Sequence, residues 1–110
     1  MGDRVTVHFQ QGGRTDAIVY SHYGVDGDTL NEFFNEIETN LSDTRFNDPP
    51  YLAAKFVVWL ALKSGSGKHP LDFLGVGVYQ FDPEDLSRRY LVDCRTPRPT
   101  FKEKTSSRRN

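Results

Sequence analysis

Residues 43–63 read Asp-Thr-Arg-Phe-Asn-Asp-Pro-Pro-Tyr-Leu-Ala-Ala-Lys-Phe-Val-Val-Trp-Leu-Ala-Leu-Lys. A charged turn passes through two prolines into the most apolar segment of the chain. Proline at a first helical position sacrifices no intrahelical hydrogen bond, and Asp48 can accept from the first turn. The segment therefore predicts a buried helix from Pro49, with Lys55, Trp59 and Lys63, spaced by four, as its partly exposed stripe, closed by Gly65 as a C-cap. A domain of this size is built around such a helix, and the turn before it is anchored at the core.

Upstream, the helix has a partner. Leu30, Phe33, Phe34, Ile37 and Leu41 recur at the spacing of one helical face, while Glu32, Glu36 and Glu38 lie opposite. Thr29 and Glu32 fit a capping box, and Asp28 places negative charge near the positive end of the helix dipole. Before it, residues 4–10 alternate Val5, Val7 and Phe9 against Thr6, His8 and Gln10, the pattern of a half-buried strand. Gln11-Gly12-Gly13-Arg14 supplies the turn of a hairpin, and residues 16–23 form its return strand.

Two further strands follow the helices. Gly75 to Phe81 reads as one, its alternating glycines marking a close approach of another element. Arg89 to Cys94 reads as the other. The expected order is β-β-α-α-β-β, an α+β fold with one mostly antiparallel sheet covered by two helices. Residues 1–94 make up the compact domain; residues 95–110 read as a basic, flexible C-terminal tail.

The 110 residues fit a single domain with one modest core. The 26% charged and 36% hydrophobic content is ordinary for a water-soluble chain. The apolar run is too short to span a bilayer, and the chain reads as cytoplasmic, without a signal peptide. One cysteine, Cys94, excludes an internal disulfide. The net charge of −1 conceals an asymmetry. The last 16 residues hold six basic residues against Glu103, a net +5, and the remainder holds eight basic and 14 acidic residues, a net −6. Such a chain can pair with itself, with a neighbouring copy or with a charged partner.

Three clusters offer chemistry. His22, Tyr23, Asp26 and Asp28 could ligate a divalent cation or orient a base, although a capped helix start explains them as well. Arg45, between Asp43 and Asp48 and beside Phe46 and Tyr51, could receive a phosphate or carboxylate; alternatively it fixes the turn while Phe46 plugs the core. Glu32, Glu36 and Glu38 present an acidic helix face that is either solvated or imitates nucleic-acid phosphates toward a basic groove. Ser64-Gly65-Ser66-Gly67-Lys68 lacks the complete phosphate-loop pattern and follows a helix. Cys94 reads as a small buried apolar group. No nucleophile–base arrangement stands out, so the sequence does not read as that of an enzyme, and no cofactor or metal is expected. The tail's basic residues carry a single aromatic, Phe101, which does not favour direct nucleic-acid binding.

Ile18-Val19-Tyr20-Ser21-His22-Tyr23-Gly24, Phe33-Phe34, Asp48-Pro49-Pro50-Tyr51-Leu52-Ala53-Ala54, Leu74-Gly75-Val76-Gly77-Val78 and Tyr90-Leu91-Val92-Asp93 resemble segments of small uncharacterised proteins encoded by phages, prophages and other mobile elements. The resemblance covers residues 4–94. It implies a non-enzymatic protein acting in the host cytoplasm and binding a host component, in the manner of anti-CRISPR proteins. Two forms of that expectation differ in their surface. In one, the acidic helix blocks a host protein. In the other, Arg45, Phe46, His22 and Tyr23 enclose a small anionic nucleotide. A third reading is a metal-dependent enzyme using His22, Asp26 and Asp28. Trp59, the Gly75/Gly77 strand and an uncovered sheet face suggest a homo-oligomer.

Overall fold

A computed structural model describes residues 4–22, 25–64, 75–79 and 88–105. Their elements are β1 (Val5–Gln11), β2 (Arg14–Ser21), α1 (Gly27–Asn40), α2 (Pro49–Ser64), β3 (Val76–Tyr79), β4 (Arg88–Asp93) and β5 (Thr100–Thr105). The strands form one sheet in the order β3-β2-β1-β4-β5. Three neighbouring pairs are antiparallel, and β1 with β4 is parallel. The expected α+β class, with a mostly antiparallel sheet and two helices, is the observed one. Among the described residues no helix is long and apolar enough to cross a membrane.

Local chemistry accounts for most boundaries. Gly12 and Gly13 take φ of 62° and 83°, the left-handed values that a two-residue hairpin turn requires and that glycine adopts without steric cost. Asp48 accepts the backbone N–H of Tyr51 at 3.3 Å, capping α2 as expected. In α1 the cap falls one turn earlier than Thr29. Asp26 is the N-cap, and its Oδ1 accepts both the backbone N–H and the hydroxyl of Thr29 at 2.9 Å. Thr29 is thus the third helical residue and closes the box from inside, the role expected of Glu32. These hydrogen bonds hold the Asp26 carboxyl below the usual carboxylate range.

The core lies between the sheet and the helices. Val5, Val7 and Phe9 from β1, Val19 from β2 and Tyr90 and Val92 from β4 meet Leu30, Phe33, Phe34 and Ile37 of α1 and Leu52, Ala53 and Phe56 of α2. Five phenylalanines, Phe9, Phe33, Phe34, Phe46 and Phe56, are fully buried. Each contributes about 1.5–3 kcal/mol by leaving water. Phe33 meets Phe56 edge-on at 5.0 Å, an arrangement favoured by the ring quadrupoles.

Three expectations are corrected. First, β1 is buried on both faces, since Thr6 and His8 are as inaccessible as Val5 and Val7. Alternation of residue types marked one buried face, but β1 is the central strand, and His8 stands in register between Ile18 and Leu91. Second, residues 100–105 are not a flexible tail but β5, paired with β4 along its whole length. The domain therefore extends past residue 94; residues 106–110 lie outside the described residues. Third, α2 is not buried all round. Val58 and Leu62 are 55% and 65% exposed, because only the face carrying Leu52, Ala53 and Phe56 turns to the core. The expected C-cap at Gly65 and the Ser64–Lys68 connection beyond Ser64 lie outside the described residues.

Candidate functional site

The structure separates residues that the sequence grouped. The α1–α2 connection lies by the hairpin turn, where Gln11 Nε2 donates to the carbonyl of Asn47 at 2.6 Å. His22 follows the opposite end of β2 and donates its backbone N–H to Gly75 O at 2.7 Å. The seven residues of β1 lie between these ends, about 20 Å at roughly 3.3 Å per residue. A pocket shared by Arg45 and His22 is therefore not formed, and Tyr23 lies outside the described residues. Phe46 is fully buried and meets Phe34 edge-on at 5.9 Å, so it plugs the core and faces no ligand. Arg45 adopts φ of 50°, lies 3.6 Å from Asp43 and rests 5.1 Å from the centre of the Tyr51 ring. It fixes the turn.

His22 is exposed, with Nδ1 2.8 Å from the Tyr20 hydroxyl. Asp26 is occupied in capping α1. Among the described residues no three His, Cys, Asp or Glu side chains gather to hold a metal ion.

The acidic face of α1 is largely matched from within. Lys63 of α2 pairs with Glu32. Arg98, from the segment joining β4 to β5, donates to Glu38 Oε1 at 2.8 Å, Asn35 Oδ1 at 2.9 Å and the carbonyl of Asn31 at 3.2 Å. Its guanidinium also lies 5.6 Å from the centre of the Phe34 ring. The Glu36 carboxylate accepts from the Asn40 amide, 3.4 Å from its Oε1. The charge asymmetry between body and C-terminal segment is thus partly satisfied inside one chain.

The C-terminal segment also builds a site of its own. Where β4 and β5 meet the hairpin turn, Gln10, Gly12, Gly13, Leu91, Asp93, Arg95, Thr100, Phe101 and Lys102 line a cleft of about 400 Å³. Its position follows from the strand register. Leu91 and Asp93 stand opposite Lys102 and Thr100, and Gln10 stands opposite Asp93, so these side chains share the sheet face turned from the helices. The turn wall is open because a Cβ at Gly12 or Gly13 would meet nothing within 4 Å. Arg95 pairs with Asp93 at the rim. With Lys102 exposed beside this pair, the ionised side chains of the cleft sum to one positive charge. Gln10 Nε2 is held by the Thr15 hydroxyl at 2.8 Å.

The floor beneath is fixed by the core. Phe101 packs its ring 6.2 Å from Tyr90 and 6.3 Å from Phe34. Farther along β5, Glu103 accepts from Arg88 Nε at 3.0 Å and from the Tyr90 hydroxyl at 3.2 Å, clasping β5 to β4. Burial raises the Tyr90 phenol above its ordinary value. Cys94, next to the cleft, donates its backbone N–H to Gln10 O at 2.8 Å. Burial pushes its thiol up to about 12, so it stays protonated and inert, as its sequence context suggested.

Arg95, Thr100 and Lys102 escaped the sequence reading because they belonged to the presumed tail. The available signal was faint: Thr100, Lys102 and Lys104 alternate with Phe101, Glu103 and Thr105, which is strand periodicity with one aromatic to anchor it. No protein-family model, curated protein or solved structure matches the chain.

Proposed function

We propose that this chain is a non-enzymatic binding protein that takes up a small anionic ligand of nucleotide size in the cleft between the hairpin turn and β5. The observation that carries this reading is the convergence of Arg95, Lys102 and the Thr100 side chain on one concave surface of about 400 Å³. Arg95 offers a planar fork suited to phosphate or carboxylate oxygens, Lys102 a mobile second charge, and Leu91 an apolar wall. A cytoplasmic role as a sponge for such an anion fits the mobile-element setting that the sequence resemblance implies.

Titration of the purified chain with a panel of nucleoside mono- and diphosphates, read by calorimetry, tests this. The Arg95→Ala/Lys102→Ala double variant should bind roughly ten- to a hundredfold more weakly, the loss of one or two charge-assisted hydrogen bonds. Lys104→Ala removes the same charge from β5 outside the cleft and should leave affinity within about twofold at moderate salt. Binding that survives the double variant, or no binding of any anion in the panel, rules the cleft out.

A second reading keeps a host protein as the partner. It is favoured by the groove of about 190 Å³ between α1 and α2, where exposed Val58 and Leu62 lie beside Trp59 and the exposed Glu36. An amphipathic helix with a basic residue aimed at Glu36 fits that groove. Leu62→Asp abolishes such binding and leaves the nucleotide titration unchanged.

A further inference from the structure

At the edge of the sheet farthest from the cleft, β3 pairs with β2 on one side only among the described residues. Its four residues, Val-Gly-Val-Tyr, carry no charge, and Val78 and Tyr79 are 71% and 39% exposed. The direction of its backbone groups follows from one hydrogen bond. His22 N–H donates to Gly75 O, so Gly75 and His22 form a hydrogen-bonded pair of the antiparallel ladder. Such pairs alternate, which makes Gly77–Tyr20 and Tyr79–Ile18 the next ones in register. Val76 and Val78 therefore turn their N–H and C=O groups away from β2, toward the open edge.

Gly77 adds a second observation. Glycine weakens a strand interior, and it usually marks a close backbone approach. Among the described residues nothing approaches: a Cβ at Gly77 would meet no atom within 4 Å.

We propose that β3 pairs antiparallel with β3 of a second copy of this chain about a two-fold axis at Gly77, doubling the five-stranded sheet. In this register Val76 of each copy exchanges both backbone hydrogen bonds with Val78 of the other. The two Gly77 residues then form the non-hydrogen-bonded pair on the axis, where Cα atoms approach to about 4.5 Å. Gly77 thus acquires the close backbone neighbour that it lacks among the described residues. The seam is also self-complementary in charge, because an uncharged edge meets its own copy without repulsion. A partner strand bearing charge would leave that charge unpaired against Val78.

Sedimentation of the full chain over a range of concentrations, with two variants, tests the seam. The native chain should be a dimer at the higher concentrations, and Val78→Lys, a change at an exposed position, should be a monomer throughout. Gly77→Cys should form a disulfide-linked dimer on mild oxidation, since the paired Cα distance suits the bond and the native Cys94 is buried. A native chain that is monomeric at every concentration overturns the proposal. So does a dimer that persists in Val78→Lys while Gly77→Cys fails to cross-link. Should Val78→Lys lose its circular-dichroism signature, the Gly77→Cys result decides alone. The seam lies on the opposite edge from the cleft and stands or falls independently of ligand binding.

Discussion

The two edges of the sheet are built on opposite principles. β5 reads Thr-Phe-Lys-Glu-Lys-Thr and β3 reads Val-Gly-Val-Tyr. On β5 the outer face carries Lys102 and Lys104, charges that repel a second strand approaching in register. Its inner face is anchored through Phe101 on Tyr90 and Phe34, and through Glu103 on Arg88 and Tyr90. β3 carries no charge, and its contacts are Val76 against the core and the Tyr79 ring 5.7 Å from that of Tyr20. The comparison teaches that one edge is closed to strand addition by charge while being held firmly to its own fold. The other carries no charge and, among the described residues, pairs on one side only, with Gly77 in its interior.

The largest effect should come from the anchor. Phe101→Ala removes the side chain that seats β5 over Gly27, where a Cβ would lie 3.2 Å from the Phe101 ring. The loss should be about 3 kcal/mol, at the lower end for a phenylalanine truncation because Phe101 is only partly buried. Urea unfolding measures it. A loss below about 1 kcal/mol would mean that β5 is no better secured than an ordinary terminus, and the contrast between the edges would fail.

Arg98→Ala should have a smaller effect. It cuts the strap from the β4–β5 connection to α1, but the pair is partly solvated, and about 1 kcal/mol is expected from the same unfolding measurement. If stability is unchanged, the position of β5 is set by Phe101 and the strand ladder without help from the strap.

Smallest in stability, yet sharpest for the comparison, is Lys104→Val. Folding free energy should move by no more than about 0.5 kcal/mol, since the residue is exposed. The variant should nonetheless associate beyond the native state in sedimentation, because β5 has lost one of its two guarding charges. An unchanged association state would show that lysine is not what closes this edge.

Sequence alone determined the features that depend on neighbours along the chain. The alternation of Val5, Val7 and Phe9 set the inner face of β1, Gly12-Gly13 set the hairpin, and the spacing from Leu30 to Ile37 set the buried face of α1. Asp48-Pro49 started α2 for reasons contained in four residues. The moved cap of α1 is the limit of that legibility: Asp26 and Thr29 are both good capping residues, and two local solutions competed.

Tertiary structure decided everything that rests on register between distant segments. That β1 runs parallel to β4 makes it the central strand, burying Thr6 and His8 along with the face marked by alternation. That β4 accepts β5 converts a Pro-flanked basic segment into sheet, because its backbone groups find partners supplied by β4. The same placement brings Arg95 and Lys102 to Gly12 and Gly13, and Arg98 to Glu38. Arg45 and His22 could have shared one ligand pocket on the sequence pattern, but the seven residues of β1 hold them apart. Helix periods and turn residues are local energies that a sequence displays openly. Strand order and edge exposure are properties of pairing, and they exist only once the sheet has formed.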